Sequence, residues 1–307
     1  MNELDFISAL RALATAPAAR GLADDAAVLE IGGEALVVTQ DAMAEGTHWL
    51  PGTDMADVAW KLVAVNLSDL AAKGAEPLGV LLSHSLGEGD ARFVEGLREV
   101  CEALAVPLLG GDTIRAGGPR TLSLTAIGRA THMPVPSRSG AREGDVIYVC
   151  GIVGDAWRGY NALLEAKGET GAPPSLTGHF LRPLPLLDEG RALAPHVTAM
   201  MDVSDGLFLD ATRMAQASEA TFALSLDALP FSDRFLAALP SDPDEARAQR
   251  IAGASWGDDY ALLFTLPADI EPPVPATRIG TVRDAGEHAL LLDGHPPPEG
   301  TALGYTH

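Results

Sequence analysis

The stretch AVNLSDLAAKGAEP, residues 64–77, begins with a run of small apolar residues, 64–72, that contains three polar side chains, Asn66, Ser68 and Asp69. Asn66 and Asp69 are three positions apart, so a helix would bring them to one face. Asp69 and Lys73 are four apart and would equally suit an ordinary surface ion pair. A solvated helix face is rarely this apolar, so we favour a functional role for these side chains on a helix predicted over residues 55–73.

Aspartates recur beside glycines and after apolar runs along the chain. The positions are Asp24, Asp25, Asp41, Asp69, Asp112, Asp202 and Asp205. An aspartate that follows a buried strand points into whatever opens at the end of that strand. Many carboxylates converging there would repel one another unless cations compensate them, and hard divalent metals take oxygen ligands. The pattern therefore predicts a site for several metal ions, and such sites usually hold phosphates.

Each aspartate cluster also has an ordinary structural explanation. Asp24 and Asp25 would suit a solvated turn before a strand, and Asp205 would suit a helix N-cap. The run Gly110-Gly111-Asp112-Thr113 would suit a tight turn, although its glycines also let backbone approach a ligand closely. His48 alone is more often structural than functional. Five such clusters in comparable settings are hard to explain by chance, so we favour the metal site.

The charge of the chain limits what it binds. Its 307 residues include 42 acids and 21 bases, giving a net charge of −21, which argues against a basic nucleic-acid-binding surface. The sequence contains neither a GxxxxGK[ST] phosphate loop nor the HRD and DFG set of protein kinases. A phosphate ligand would be repelled by this acidic background, so metal ions would have to neutralise most of its charge.

The cysteines and the amino terminus bear on the compartment. Cys101 and Cys150 lie in apolar surroundings and predict two buried free thiols. The amino terminus lacks a basic region followed by an apolar one, and no apolar run approaches the about 18 residues of a membrane span. We therefore expect a cytoplasmic protein without a membrane span.

The order of predicted elements indicates an α+β fold with mixed or antiparallel sheets covered by helices. The first part contains predicted helices at 3–16, 55–73 and 89–105 and predicted strands at 26–40, 78–86, 106–109 and 121–130. Prolines, serines and a glycine at 134–140 mark a change of domain, so we place two domains at 1–136 and 137–307. The second part contains predicted strands at 145–150, 197–202, 221–226, 261–266 and 277–292, helices at 154–167 and 206–217, a Gly/Pro-rich loop at 168–176, and an acidic, mobile segment at 240–248.

Six segments, in order along the chain, resemble those of one known family. They are ADDAAVL at 23–29, AEGTHWLPGTD at 44–54, AVNLSDLAAKGAEP at 64–77, GGDTIR at 110–115, MDVSDGL at 201–207 and GDDYALLF at 257–264. The chain resembles the bacterial thiamine-monophosphate kinases, in the superfamily that includes aminoimidazole ribonucleotide synthetase and selenophosphate synthetase. The run NLSDLAA-x-GA with EG-x-H upstream is the specific part of the match.

The resemblance implies a two-domain aminoimidazole ribonucleotide synthetase-like fold in which ATP and thiamine phosphate give ADP and thiamine diphosphate. It also implies ATP and several magnesium ions held between the domains, and a homodimer formed through the amino-terminal sheets. The implied metal ligands are Asp24, Thr39, Gln40, Asp41, Asp69, Asp112, Asp202 and Asp205. The implied ATP contacts are Gly111, Asp112, Arg138 and Ser204, and the implied thiamine phosphate contacts are His48, Asp258 and Tyr305.

The sequence departs from the family pattern at four points. Gln40 stands where the family usually has a hydroxyl residue, and Asp258 stands where it usually has the longer glutamate. Ala23 replaces a glycine, and no tyrosine precedes the GGDT strand. Gln40 would therefore ligate a metal through an oxygen other than a hydroxyl, and Asp258 would have a shorter reach toward substrate.

The implied chemistry agrees with the residues. A phosphate monoester acceptor carries close to two negative charges, so it needs no general base, and we identify no catalytic base. We expect direct in-line transfer on the metal ions, without a covalent phosphoenzyme. The alternatives are another ATP-using member of the superfamily or a non-catalytic relative that binds nucleotide or metal. Selenophosphate synthetase would need a reactive cysteine near the amino terminus, whereas the first cysteine here is Cys101.

Overall fold

The computed structural model describes residues 3–166, 174–298 and 300–306. The first half contains helices α1 (Glu3–Arg11), α2 (Met55–Ala72) and α3 (Asp90–Ala103) and strands β1 (Ala27–Ile31), β2 (Glu34–Ala44), β3 (Ala75–Ser85), β4 (Leu108–Ile114) and β5 (Thr121–Ala130). The second half contains strands β6 (Val146–Cys150), β7 (Ala199–Asp202), β8 (Ala220–Leu224), β9 (Leu262–Leu266), β10 (Thr277–Asp284) and β11 (Leu290–Leu292). Its helices are α4 (Asp155–Glu165), α5 (Pro174–Leu181), α6 (Leu187–Leu193), α7 (Leu207–Ala217), α8 (Asp233–Ala237) and α9 (Pro243–Trp256), and 3₁₀ turns lie at Pro17–Leu22 and Leu226–Ala228.

Two mixed sheets organise these elements. The first has the order β1-β2-β5-β3-β4, antiparallel except for the parallel β3–β4 pair. The second has the order β11-β8-β10-β6-β9-β7, antiparallel except for the parallel β11–β8 pair. All strands of the first sheet precede the predicted domain boundary at 136/137 and all strands of the second follow it. The boundary itself stays a prediction.

Helix α2 connects the two halves. It begins after Asp54, whose side chain accepts a hydrogen bond from the Ala56 N–H at 3.0 Å. It packs against β2, β5 and α3 of its own half and against α6 and β7 of the other. A helix covered on both sides needs apolar residues all round, which explains its composition. Its polar residues, Asn66, Ser68 and Asp69, therefore lie between the two halves and not on a solvated face.

The prediction of a mobile segment at 240–248 is wrong, because most of this segment lies in α9. The Asp242 side chain caps this helix by accepting the N–H groups of Asp244 at 3.0 Å and Glu245 at 2.9 Å. Pro243 takes the first helical position, where its missing N–H is harmless. Acids in a first turn complement the positive end of the helix dipole. The acidic cluster is therefore a helix start signal.

Other boundaries also differ from prediction. The helix predicted over 3–16 ends at Arg11, and the strand predicted over 277–292 is divided into β10 and β11. The strand predicted at 106–109 is β4, which continues to Ile114, so the two glycines lie within a strand and not in a turn after it. Residues 168–173 of the predicted loop lie outside the described residues, and residues 174–176 begin α5.

Two further predictions concern the state of the cysteines and the absence of a membrane span. Both cysteines are free; Cys150 is buried and Cys101 is partly buried. Of the helices in the described ranges, none has the length and apolarity that crossing a membrane requires.

The contact between α6 and α2 depends on Gly190. A Cβ at this position would lie 2.0 Å from the carbonyl oxygen of Ala71, so Gly190→Ala must push the helices apart. We expect a loss of about 1–3 kcal/mol in the free energy of unfolding, measured by chemical denaturation. The matched control is Gly178→Ala in α5, where an added Cβ meets nothing within 4 Å and alanine is the better helix former. Equal effects of the two substitutions would contradict this packing.

Candidate active site

A cavity of about 520 Å³ opens between the two halves. The first half contributes the start of β1, the strand β2, the loop after it and α2. The second half contributes the end of β7, the loop before α7 and the segment after α9. The predicted site residues that line this cavity are Asp24, Thr39, Gln40, Asp41, His48, Asp69, Arg138, Asp202, Ser204, Asp205, Asp258 and Tyr305. Gly111 and Asp112 are absent from its described lining.

Carboxylates from three separate elements converge at one end of the cavity. One oxygen each of Asp25, Asp69 and Asp202 lie within 4.8 Å of one another. Asp25 precedes β1, Asp69 lies on α2, and Asp202 ends β7, so the cluster forms only when the two halves pack together. Asp25 is one of the seven aspartates whose pattern predicts a metal site, although the family resemblance implies a ligand only at its neighbour Asp24.

The convergence changes the acidity of these groups. Burial raises the pKa values of Asp69 and Asp202 well above the usual value of an aspartate, and neighbouring carboxylates raise them further. Burial, Asp205 and Asp25 raise the pKa of Asp41 to about 6. Hydroxyl groups partly offset these upward pKa shifts, since Thr39 Oγ1 donates to Asp69 at 2.5 Å and Ser68 Oγ donates to Asp202 at 2.7 Å. Among the described residues, Asp41, Asp69 and Asp202 form no ion pair.

Cations surround the other end of the cluster. Lys73 Nζ lies 2.5 Å from Asp24 and 2.6 Å from Asp25. Arg20 pairs with Asp24 at 2.6 Å, and the Arg138 Nε donates to Asp25 at 2.5 Å. Burial opposes ionisation of Asp24, yet Lys73 and Arg20 together hold its pKa below the usual range. This role of Lys73 was not predicted from the sequence; its position at the end of an apolar helix was the available signal.

Asp210 fixes the loop that carries Ser204 and Asp205. Its Oδ2 accepts the backbone N–H groups of both residues at 3.1 Å each. Burial and the nearby Asp205 raise the pKa of Asp210 to about 7, although Arg213 opposes the shift. Arg213 also pairs with Asp205. Sequence reasoning missed Asp210, which could have been found as an acid on the inner face of the helix after MDVSDGL.

Two of the predicted substrate residues, His48 and Asp258, lie at the opposite end of the cavity, beside Lys61. His48 Nδ1 accepts the Ala44 N–H at 3.0 Å, which orients its ring. Asp258 accepts from Lys61 Nζ and from the Tyr260 hydroxyl, both at 2.9 Å. The Tyr305 N–H donates to the Asp205 carbonyl at 2.8 Å. Lys61 therefore joins α2 to the segment after α9.

An aromatic wall, made of Tyr160, Phe180 and Trp256, lines the same end of the cavity. The ring centroids of Tyr160 and Phe180 are 5.4 Å apart, and those of Tyr160 and Trp256 are 4.6 Å apart. Lys61 Nζ lies 3.9 Å from the Phe180 centroid. These residues come from α4, α5 and α9, so no single sequence motif could have indicated the wall.

Three predicted residues differ from their expected use within one chain. Gln40 lines the cavity, but its side-chain Nε2 donates to Ser123 Oγ at 3.1 Å. Gly111 and Asp112 lie on β4, three strands from β2 in the sheet order, or about 14 Å at the usual strand spacing. Gly111 also has a packing role, because a Cβ there would lie 1.9 Å from the Leu82 carbonyl oxygen.

Sequence-family models match both halves. The N-terminal domain of AIR synthase related protein matches residues 23–130, and its C-terminal domain matches residues 142–249. Fold and site thus define a two-domain protein of the AIR synthase related class. Relatives named thiamine-monophosphate kinase match most of the chain at 33–39% identity. The chain therefore belongs, within that class, to the thiamine-monophosphate kinase family. This confirms the family, the fold and the kinase enzyme predicted from the sequence.

Individual relatives support this assignment. The thiamine-monophosphate kinase of Caulobacter vibrioides is 39% identical over 80% of this chain and 71% of its own length. That of Haemophilus influenzae is 33% identical over 93% of each chain. The solved structure described as AaThiL complexed with AMPPCP and TMP superposes with a TM-score of 0.86 at 29% identity, covering 100% of this chain and 97% of that one.

The raised pKa of Asp41 predicts a pH effect on stability. Since this pKa is about 6 instead of the ordinary 3.8, the folded chain loses stability as pH rises through that window and Asp41 ionises. We therefore expect Asp41→Asn, without divalent metal, to raise the free energy of unfolding at neutral pH by on the order of 1–3 kcal/mol, and with it the melting temperature. The gain should disappear as the pH falls toward 3.8. Differential scanning fluorimetry in chelator measures both.

The control for this experiment is Asp54→Asn. The pKa of Asp54 is lowered, chiefly by hydrogen bonds from Arg92, so the same substitution should lower the melting temperature at neutral pH. A gain from Asp41→Asn that does not change with pH would contradict the electrostatic explanation.

Proposed function

We propose that this chain transfers the γ-phosphoryl group of ATP to the phosphate of thiamine phosphate, giving ADP and thiamine diphosphate. One observation supports this most: carboxylates from both halves converge at one end of a cavity whose other end carries aromatic rings. The first end suits phosphates held by metal ions, and the second suits a heteroaromatic ring. The family and the relative described with AMPPCP and TMP support the same assignment.

Magnesium fits the residues at the acidic end. The donors are carboxylate and hydroxyl oxygens, which magnesium prefers. The carboxylates of Asp41, Asp69 and Asp202 form no ion pair among the described residues, and their pKa values are raised, first by burial and further by neighbouring carboxylates. We assign the ions to these oxygens. The ions would neutralise and align the two reacting phosphates.

The side chains of the chain bind and orient the reactants. Arg138 and Ser204 lie beside the acidic cluster and would contact the ATP phosphates. His48 lies toward the aromatic wall and would donate to the phosphate of the acceptor. Asp258 and Tyr305 would hold the thiamine end. The thiazolium ring is a cation, and aromatic faces such as those of the wall attract cations. Because the acceptor oxygen is already anionic, no catalytic base is assigned.

The test is an assay of ADP release with thiamine phosphate, with free thiamine and without an acceptor. We expect a strong preference for thiamine phosphate, because free thiamine presents a hydroxyl whose proton no assigned residue removes. Asp69→Asn should abolish turnover and keep the fold, as judged by circular dichroism. Equal kcat/KM for the two acceptors would contradict the mechanism. Nucleotide binding without any turnover would favour a non-catalytic relative.

We further propose that the chain is a homodimer paired through its amino-terminal sheet. Strand β4 is an edge strand with all seven residues exposed. It presents Leu108, Leu109 and Ile114 with exposures of 48%, 55% and 55%. An open apolar edge is prone to pair with another chain. Pairing would also explain the position of Asp112, which could then act in the site of a second copy. The predicted cytoplasmic location stays a prediction.

Complementation between variants tests this arrangement. Asp69→Asn and Asp112→Asn should each be inactive as pure proteins. If Asp112 acts across the dimer, a mixed dimer holds one site with both residues intact, so co-refolded variants should regain about a quarter of wild-type activity. Size-exclusion chromatography with light scattering measures the dimer. A mixture that stays inactive, or a monomer with full activity, would contradict the proposal.

A further inference from the structure

Lys73 is a cation built into the acidic cluster. It follows the last residue of α2, and its side chain is 0% exposed. Its Nζ lies 2.5 Å from Asp24 and 2.6 Å from Asp25, and it donates to the Met200 carbonyl on β7 at 3.3 Å. Burying an ammonium is unfavourable unless its charge and N–H groups are satisfied. The two carboxylates, the carbonyl and the negative end of α2 satisfy this one.

The balance of charge divides the cluster into two ends. At the first end, two carboxylates, Asp24 and Asp25, face three cations, Lys73, Arg20 and Arg138. That end has a formal charge of +1, which repels a further cation. At the second end, Asp41, Asp69 and Asp202 carry up to three negative charges and form no ion pair among the described residues. One Asp25 oxygen lies within 4.8 Å of an oxygen of Asp69 and of Asp202, but both Asp25 oxygens are already paired, with Lys73 and with Arg138. A divalent ion is therefore attracted to the second end and not to the first.

The contacts of Lys73 reinforce this division. Asp24 Oδ1 and Asp25 Oδ2 belong to neighbouring residues, and the ammonium lies between them as a bridging cation would. The other Asp24 oxygen is paired with Arg20. A magnesium ion requires oxygen ligands at about 2.0–2.1 Å, so it could reach Asp24 only by displacing one of these side chains. Lys73 has no solvated position to move to without leaving the buried interface between α2 and β7.

We propose that Lys73 takes the place of a divalent ion between Asp24 and Asp25, so that metal ions bind at Asp41, Asp69 and Asp202. The inference rests on the proposed metal-dependent function and refines it, because it removes Asp24 from the ligand set that the family resemblance implies. It also assigns Lys73 a part of the charge neutralisation that metal ions would otherwise supply.

The test counts Mn²⁺ ions bound per chain, by electron paramagnetic resonance titration without nucleotide or substrate. Lys73→Met keeps an unbranched side chain and removes the positive charge. We expect this variant to bind one more Mn²⁺ than the wild type, and Lys73→Arg to bind the same number as the wild type. The matched control is Lys61→Met, which removes the other buried lysine, paired with Asp258; its count should not change. An unchanged count in Lys73→Met would overturn the inference.

A second variant decides the question if Lys73→Met does not fold. In the wild-type background, Asp24→Asn should leave the Mn²⁺ count unchanged, whereas Asp69→Asn should reduce it. Loss of an ion on Asp24→Asn would overturn the inference. A wild-type chain that binds no Mn²⁺ would instead overturn the metal cluster of the proposed function. Because no substrate is present, failure to phosphorylate thiamine phosphate does not affect these counts.

Discussion

Repulsion between buried carboxylates is the constraint on which this structure depends. Asp25, Asp69 and Asp202 bring an oxygen each within 4.8 Å, in an environment that raises the pKa of the last two well above the usual value. Like charges at such distances oppose folding unless they are protonated or compensated. The chain compensates part of the charge with its own cations and hydroxyl groups and leaves the remainder for a ligand. The folded state of this site is therefore incompletely neutralised by the described residues, which is the basis of the metal site proposed above.

Helix α2 makes that compensation possible, since it contacts both halves. Lys61 within the helix and Lys73 directly after it are both buried, and both pair with carboxylates outside the helix. Lys73 contacts the acidic end of the cavity, and Lys61 contacts Asp258 near the aromatic wall. Lys61 also donates to the His48 carbonyl at 3.1 Å, so one ammonium positions two of the residues proposed to bind thiamine phosphate. The helix thus fixes the distance between the two ends of the cavity.

Hydrogen bonds within the second half fix the loop before α7, which carries Ser204 and Asp205. Asp210 accepts two backbone N–H groups from the loop before α7, and the Asp258 N–H donates to the Ser204 carbonyl at 2.8 Å. These bonds connect the residues proposed for ATP and for thiamine phosphate through a few backbone groups. Asp210 is not among the described residues that line the cavity, yet it holds Ser204 and Asp205 in place.

The sequence by itself indicated most strands, the helices α1, α2, α3, α4 and α7, and most of the residues that line the cavity; it did not indicate α5, α6, α8 or α9. Apolar periodicity located α2 and α3, and the motifs around Asp41, Asp69 and Asp202 indicated carboxylates at the ends of strands and on a helix. Those signals are local, because they depend on neighbours within a few positions. The acidic run before α9 was misinterpreted, since acids at a helix start and acids in a solvated segment look alike until Pro243 and the Asp242 cap are considered together.

Only the tertiary structure decided which charges meet. Whether Asp24 or Asp25 faces the other carboxylates depends on the backbone before β1, and the partner of Lys73 is far away in sequence. The aromatic wall comes from three helices, and the exposed face of β2 that takes Gln40 is set by its register with β5. Electrostatic energy depends on distance in space and on burial, and neither can be read from residues that lie a hundred positions apart along the chain.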